Sequence, residues 1–255
     1  MMTLTNTQSF RNSWDKDGYF VVDNFFALDF VQDLKKNCLT VAKDNRSHTY
    51  TDKQGLLRRV EYFTKRNKTI SSADELVKSF LAELFSEEYT LFKDKINYKP
   101  AGGEGFFAHY DGVFNFTDHS GVETNGWYKY ADQFVNALVV LDDFTIQNGA
   151  LEVSSAHSGD FSTLMANTKQ NGTPDLREEI EKACTFSPIC SPAGSLVIFS
   201  NTCPHRSSAN RSKSSRGSVY LTYNRSRDGD FYEQYFADKV GSKNTASKSL
   251  SGEEV

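Results

Sequence analysis

The fold is decided by the stretch SPAGSLVIFSNTCPH, residues 191–205. Its first four residues (serine, proline, alanine and glycine) have the composition of a turn. The apolar run from Ser195 to Phe199 that follows predicts a buried strand. His205 comes just beyond this strand, after Pro204, where its side chain can be presented to the interior. We therefore treat His205 as a candidate metal ligand; its alternative role is that of a capping residue in the turn at Pro204.

The next predicted strand, RGSVYLTYN at residues 216–224, alternates between polar and apolar residues. Side chains along a strand point to opposite faces in turn, so one face is apolar and the other is suited to line a polar cavity. The polar face begins with Arg216, whose planar guanidinium can bind a carboxylate through two parallel hydrogen bonds. A solvated strand end or a structural ion pair is the alternative role of this arginine. The polar face consists of Arg216, Ser218, Tyr220, Thr222 and Asn224.

A second candidate for metal ligation lies upstream, in FFAHYD at residues 106–111. This stretch follows a glycine-rich turn and predicts a strand, so His109 and Asp111 point to the same side. With His205 they provide two imidazoles and one carboxylate, the facial ligand set that holds Fe(II) and leaves positions open for oxygen and a co-substrate. A core histidine and a turn-forming aspartate are the alternative interpretation, because a pair with this spacing also arises by chance.

Helices are predicted before the strand-rich region. Periodicity and capping residues predict helices over 6–17, 28–44 and 72–85, the last capped by Ser71 or Ser72, and a strand over 18–22. Past Phe92 the pattern changes to short strands separated by Gly, Asn and Pro turns, the rhythm of a jelly roll. The predicted fold is mainly β: a double-stranded β-helix (jelly-roll, cupin-like) core with flanking N-terminal α-helices.

The length and composition of the chain predict a single domain. A chain of 255 residues with 38% hydrophobic content is long enough for one β core with added helices, which we place over 1–240. Residues 241–255 are rich in Ser, Lys and Glu without apolar periodicity, and they predict a disordered tail. The polar stretch 166–173 predicts a surface loop.

Charge and hydropathy exclude several classes of partner. A net charge of −4 argues against nucleic acid or an anionic membrane as the main partner. No apolar stretch reaches the roughly 18 residues of a membrane span, and the N-terminus has no basic segment followed by an apolar run. We therefore expect a cytoplasmic protein that acts on a small molecule, and the oligomeric state stays open. The four cysteines show no zinc-type spacing, which indicates reduced thiols.

Several blocks resemble the phytanoyl-CoA dioxygenase family of Fe(II)/2-oxoglutarate oxygenases. They are DD at 142–143, NGALEV at 148–153, PAGSLVIF at 192–199 and HRSSAN at 205–210, and the similarity runs from about Trp14 to Lys239. The resemblance implies an enzyme whose cofactor is Fe(II) and whose co-substrates are 2-oxoglutarate and O2. It assigns the metal to His109, Asp111 and His205, and 2-oxoglutarate to Arg216, Ser207 and Trp127, to which we add Asn97 from a predicted cavity strand.

A narrower resemblance concerns the substrate. The blocks KINYKPAGG at 95–103, LTYNRS at 221–226 and YFADK at 235–239 are similar to the branch that hydroxylates 2-aminoethylphosphonate and its N-methylated analogues at the carbon bearing phosphorus. One departure is Tyr110, where that branch usually has Gln; strand alternation points this residue away from the ligands. Arg59, Tyr62 and Asn224 are the candidate substrate-binding residues. A hydroxylase of another small polar or amine metabolite, or a non-catalytic ligand-binding barrel, are the alternatives.

Overall fold

The structure, a computed structural model, describes residues 4–117 and 120–241. The predicted helices over 6–17 and 28–44 are confirmed, although the second ends at Val41. Within the described residues no helix is long and apolar enough to cross a bilayer. The predicted tail lies outside the described residues from 242 onward, so it stays a prediction, as do the domain limits. The helices are α1 (Leu4–Asp17), α2 (Leu28–Val41), α3 (Lys68–Phe85), α4 (Phe161–Ala166), α5 (Glu178–Ala183) and α6 (Tyr232–Gly241).

Strands make up the rest of the regular structure. They are β1 (Tyr19–Val22), β2 (His48–Thr51), β3 (Leu57–Glu61), β4 (Tyr89–Lys99), β5 (Phe106–His109), β6 (Phe116–Thr117), β7 (Glu123–Thr124), β8 (Val135–Val140), β9 (Leu151–Val153), β10 (Ser187–Pro188), β11 (Leu196–Ser200), β12 (His205–Ser207) and β13 (Arg216–Arg225). A seven-stranded sheet has the order β1-β11-β8-β13-β4-β3-β2, and a four-stranded sheet has the order β10-β9-β12-β5. Every pairing within them is antiparallel.

The seven-stranded sheet is covered on both faces. On one face, alternate residues of β8 and β11 such as Val139 and Ile198 pack against the helices, including Leu34 of α2. On the other face, their neighbours Leu138 and Val197 pack against β9 of the smaller sheet. These central strands are buried on both sides, which is why the stretch around Val197 is continuously apolar. Two antiparallel sheets packed face to face, with helices outside, confirm the predicted jelly-roll fold.

The helix α3 begins earlier than predicted. Its N-cap is Asn67, whose side chain accepts a hydrogen bond from the Ile70 backbone N–H at 3.1 Å. The predicted caps have other partners, because the hydroxyl of Ser71 donates to the Thr64 carbonyl and that of Ser72 donates to the Lys68 carbonyl. The prediction of a cap at either serine was therefore wrong: both lie inside the first turns and bond back to the chain.

The stretch 166–173, predicted as a surface loop, is only partly exposed. Thr168 and Thr173 are buried, with their hydroxyls donating to the Met165 carbonyl at 2.9 Å and to the Asn171 side chain at 2.8 Å. Because these hydroxyls are satisfied locally, the polar residues can be buried at little cost. The prediction of a surface loop was wrong for this part of the stretch, which leads into a segment that extends the smaller sheet beside β5.

Asp94, which is fully buried on β4, joins three parts of the molecule. Its carboxylate accepts hydrogen bonds from the backbone N–H groups of Tyr62, Phe63 and Thr64 at 2.6, 2.9 and 2.7 Å. It also accepts one from the Tyr232 hydroxyl of α6 at 2.6 Å. These four bonds hold the turn after β3 and the start of α6 against the back of β4, and so they hold the edge of the sheet that lines the site described below.

Replacement of Asp94 by alanine is expected to lower the free energy of unfolding by about 4 kcal/mol, because four buried donors lose a charged acceptor. Chemical denaturation followed by circular dichroism measures this change. The control is Asp15→Ala, at an exposed position of α1, for which a change within about 0.5 kcal/mol is expected. A loss below about 1 kcal/mol for Asp94→Ala would show that the network contributes little to stability.

Candidate active site

The predicted metal ligands come together between the two sheets. His109 ends β5 and His205 begins β12, and the two residues are direct partners in the antiparallel pairing of these strands. Asp111 follows two residues after His109. One nitrogen of each imidazole and one oxygen of the carboxylate all lie within 4.8 Å of one another, and the His205 Nε2 atom is 3.7 Å from the Asp111 Oδ2 atom. Three convergent donors of this kind suit a single metal ion.

Neighbouring groups orient each ligand. The Nδ1 atom of His109 donates to the Phe107 carbonyl at 2.7 Å, and that of His205 donates to the Cys203 carbonyl at 3.0 Å. In both rings the Nε2 atom is therefore left without its proton and free to bind a metal. In each case the acceptor is the backbone carbonyl two residues before the histidine, so the local backbone also sets the tautomer of the ring.

Two successive hydrogen bonds from the larger sheet orient the carboxylate of Asp111. The side-chain amide of Asn136 on β8 donates to the Asp111 Oδ2 atom at 3.0 Å, and the Thr222 hydroxyl on β13 donates to the Asn136 Oδ1 atom at 2.7 Å. Thr222 was predicted to lie on the polar face of its strand, whereas Asn136 was not identified from the sequence. The sequence feature that could have identified Asn136 is its position as the single polar residue in the apolar strand VNALVV.

The protonation states of the three ligands suit metal binding. Burial, reinforced by the neighbouring His205, lowers the pKa of His109 to about 3, and burial also lowers the pKa of His205. Burial opposes ionisation of Asp111, but His205 and Lys95 outweigh it and hold the pKa of that carboxyl below its usual range. Two neutral imidazoles and one carboxylate are thus present at neutral pH, and this donor set fits Fe(II).

A cavity opens in front of these ligands and is lined mainly by polar groups. Of the residues predicted for co-substrate or substrate binding, it contains Asn97, Ser207 and Arg59. Tyr220 also lines it, from the polar face that was predicted for β13. Lys93 and Lys95 line it as well and were not predicted. The signal for these two lysines was the alternation of β4, where Lys93, Lys95, Asn97 and Lys99 occupy every second position and so share one face.

Arg216 is the first residue of β13, the strand next to β4. It is paired with Lys99 across β13 and β4, and both side chains are buried. The guanidinium donates to the carbonyls of Asn148, at 3.1 Å, and Gly149, while the ammonium of Lys99 donates to the Ser207 hydroxyl at 2.7 Å. Within the described chain, no carboxylate forms an ion pair with either cation. Burial and the nearby Arg216 lower the pKa of Lys99 to about 7.

Four predicted site residues are not among those that line this cavity: Arg216, described above, and Trp127, Tyr62 and Asn224. Trp127 is core: its ring packs against Phe92 and Phe134, and its backbone N–H donates to the Gly112 carbonyl at 3.1 Å, behind Asp111. The Lys93 ammonium lies 5.1 Å from the centre of this ring, so Trp127 supports a cavity residue from behind. The structure therefore gives Trp127 a supporting position beside the site.

Tyr62 and Asn224 are directed elsewhere by the backbone. Tyr62 has a φ of 62° with its N–H bound to Asp94, so the chain turns after Glu61 and the tyrosine hydroxyl bonds Glu233 of α6. Asn224 follows a shift in the β4–β13 register after Thr222, and its amide donates to the carbonyls of Arg225 and Gly229, each at 2.9 Å. The prediction that Tyr62 and Asn224 line the substrate site is therefore corrected, because neither residue lines the cavity.

Tyr110 faces away from the ligands, as the alternation predicted. It is fully buried and packs with Leu164 and Leu176 on the outer side of the smaller sheet. Its hydroxyl is hydrogen-bonded to His157 and accepts from the Asn167 amide at 3.1 Å. The residue at this position thus joins β5 to the helical segment outside it, without reaching the cavity.

The chain is similar to several curated proteins, two of which are described here. The chain is 29% identical over 244 residues to a 2-aminoethylphosphonate dioxygenase from uncultured bacterium HF130_AEPn_1, covering 91% of this chain and 87% of that protein. It is 27% identical over 248 residues to a methylphosphonate hydroxylase from Gimesia maris, covering 93% and 88%. Both relatives match nearly the whole chain.

A solved structure with the same fold is EctD from S. alaskensis, crystallised with 2-oxoglutarate and 5-hydroxyectoine. It superposes with a TM-score of 0.66 at 18% identity, covering 89% of this chain and 77% of EctD. Residues 14–218 match the phytanoyl-CoA dioxygenase (PhyH) family, in agreement with the predicted class of enzyme, a dioxygenase. The chain belongs to the phytanoyl-CoA dioxygenase (PhyH) family.

Proposed function

We propose that this protein is an Fe(II)- and 2-oxoglutarate-dependent hydroxylase of small organophosphonates, such as 2-aminoethylphosphonate or an N-methylated analogue. Hydroxylation takes place at the carbon bearing phosphorus. One observation carries the proposal: three cations, Arg59, Lys93 and Lys95, line the same cavity as the His-Asp-His ligand set. The two phosphonate-acting relatives support it at the level of sequence.

The cofactor and co-substrate have fitting residues. His109, Asp111 and His205 would hold Fe(II), and Arg216 with Lys99 and Ser207 would hold the carboxylate of 2-oxoglutarate that lies far from the metal. When bound, the iron supplies the oxidising chemistry that converts 2-oxoglutarate, O2 and a C–H bond into succinate, CO2 and a C–OH group. The protein groups orient the two organic molecules and exclude water.

The cations on β3 and β4 suit a phosphonate because their charge is poorly compensated. Burial and the nearby Lys93 and Arg59 lower the pKa of Lys95 to about 7. Glu61 partly offsets Lys93, whose ammonium is 3.9 Å away, but within the described chain Lys95 and Arg59 have no carboxylate ion pair. An anion bound between them would relieve this repulsion.

Two further atoms in the cavity lack partners. The Arg59 Nε atom and the Asn97 Oδ1 atom are buried, and within the described residues nothing hydrogen-bonds to them. The two residues are direct neighbours across β3 and β4. Buried polar atoms of this kind are usually satisfied by a ligand or water. A phosphonate has three oxygens, which can accept from Arg59 and from both lysines, and when one of these oxygens is protonated its hydroxyl can donate to Asn97.

A hydroxylase of another small polar metabolite is the second candidate, because EctD shares the fold and was crystallised with 5-hydroxyectoine. The two candidates are distinguished by assaying iron-loaded enzyme with 2-oxoglutarate and a substrate panel. The panel contains 2-aminoethylphosphonate, its N-trimethyl analogue, methylphosphonate, choline and ectoine. Succinate is quantified and phosphorus NMR follows the C–P carbon. We expect substrate-dependent succinate and a 1-hydroxyphosphonate; turnover of ectoine or choline with unchanged phosphonates would reject the proposal.

Replacement of Lys95 by methionine is expected to raise KM for the phosphonate about 100-fold, the effect of losing one partner of a buried charge pair. KM for 2-oxoglutarate should change less than about 3-fold, because Arg216 and Lys99 are intact. Steady-state kinetics with each molecule varied in turn measures both constants. Lys36→Met, an exposed position of α2, is the matched control. Equal increases in both KM values would contradict the assignment of Lys95 to the substrate.

A further inference from the structure

The smaller sheet has an additional short segment on the free side of β5. Asp175 forms an antiparallel bridge with the metal ligand His109. Two backbone hydrogen bonds flank the bridge, from Tyr110 N–H to the Pro174 carbonyl at 3.3 Å and from Leu176 N–H to the Ala108 carbonyl at 2.8 Å. The segment 174–176 therefore places one acidic residue directly beside a residue of the metal site.

Strand alternation assigns the side chain of Asp175 to the cavity side of this sheet. Leu176 packs with Ala108 and Tyr110 in the apolar cluster outside the sheet. Because successive residues of an extended segment point to opposite faces, Asp175 points to the face that carries the His109 imidazole. Directly opposite residues of an antiparallel pair have Cβ atoms about 5 Å apart, so the Asp175 side chain starts beside that of His109.

The carboxylate of Asp175 is incompletely paired. The residue is only 5% exposed, and its Oδ1 atom is buried with no hydrogen-bond partner in the described part of the chain. The other oxygen is 3.6 Å from the ammonium of Lys169, whose side chain is 44% exposed. A buried carboxylate oxygen without a donor is costly unless a ligand supplies one.

We propose that Asp175 binds the ammonium group of an aminoalkylphosphonate and thereby makes the enzyme selective for aminated over plain alkylphosphonates. This inference rests on the proposed function. The substrate then has two anchors, its phosphonate at the cations of β3 and β4 and its amine at Asp175, with the carbon between them directed at the metal. Because the free oxygen needs an N–H donor, an amine that retains N–H is preferred over a trimethylammonium group.

The test compares 2-aminoethylphosphonate with propylphosphonate, in which a methyl group replaces the ammonium. In wild-type enzyme kcat/KM should favour the aminated substrate. Asp175→Asn should lower kcat/KM for it about 30-fold, through KM, and change that for propylphosphonate less than about 3-fold. The loss with N-trimethyl-2-aminoethylphosphonate should be smaller than with the primary amine. Glu178→Gln, an exposed carboxylate on α5, is the matched control and should leave both substrates unaffected.

Propylphosphonate turnover by the variant also shows that it is folded. Equal losses with the two substrates would assign Asp175 a structural role and overturn the inference. An unchanged preference for the amine in Asp175→Asn would overturn it as well, while leaving the proposed function in place. Absence of turnover with every phosphonate in wild-type enzyme would overturn both.

Discussion

Replacement of His205 by alanine is expected to reduce succinate release at least about 1000-fold, equivalent to roughly 4 kcal/mol of transition-state stabilisation. The variant retains His109 and Asp111, but two donors do not hold Fe(II) on one face in the geometry needed by the co-substrate. Bound iron, measured by elemental analysis after desalting, should fall well below one ion per chain. The loss should appear with every substrate, because it precedes any selection among them.

The control for this variant is His48→Ala, which removes a half-buried histidine that contacts Tyr62 and Phe236 rather than the metal site. It should retain iron and most of the activity. Because His205 packs against Phe199 as well as facing the metal, the unfolding transition of His205→Ala is measured in parallel. Activity within 10-fold of wild type in folded His205→Ala would show that the three side chains are not the ligands of a catalytic metal.

Replacement of Arg216 by methionine is expected to raise KM for 2-oxoglutarate about 300-fold, while KM for the phosphonate changes little. A fully buried guanidinium that pairs with a carboxylate contributes about 2–5 kcal/mol to binding, and 300-fold lies within that range. Lys99 remains in the variant, but its ammonium is a point charge that is already bonded to the Ser207 hydroxyl. It therefore cannot replace the bidentate hydrogen bonds that a guanidinium forms with a carboxylate.

Kinetics with 2-oxoglutarate as the varied substrate measures this effect. Arg225→Met, at the other end of the same strand and partly exposed, is the control and should leave KM for 2-oxoglutarate within about 2-fold. An increase in KM for the phosphonate without one for 2-oxoglutarate would assign Arg216 to the phosphonate site instead of the 2-oxoglutarate site. Unchanged constants would mean that Arg216 has only the structural role of binding the carbonyls of Asn148 and Gly149.

Residues whose positions follow from strand alternation were predicted well. His109 and Asp111 share a side because they are two apart on one extended segment, and on β13 Tyr220 lines the cavity while Thr222 bonds the side chain that orients Asp111. Prediction failed where the backbone departs from this regularity. The register shift after Thr222 redirects Asn224, which strand alternation had placed in the cavity, and the positive φ of Tyr62 redirects a side chain that the family resemblance had placed there.

Other residues were missed because their roles depend on pairing between distant strands. The alternation of β4 places Lys93 and Lys95 on one face, but the sequence does not show that β3 brings Arg59 beside them to form a cationic surface. Asn136 likewise acquires its role when Thr222 and Asp111 approach it from opposite sides. Asp175 follows the polar stretch 166–173, which was predicted as a surface loop. Only its bridge to His109 in the smaller sheet makes it a neighbour of that residue.

The sequence by itself determined the jelly-roll fold, the family and the three candidate metal ligands, because each depends on local periodicity or on the order of short blocks along the chain. Only the tertiary structure decided which cations line the cavity with the candidate metal ligands, which carboxylate residue is paired with His109 in the smaller sheet, and which predicted residues turn away. The physical reason is that a cavity between two sheets is lined by side chains from strands far apart in the chain. Their register, set by a bulge or a single turn, is not encoded at any one position.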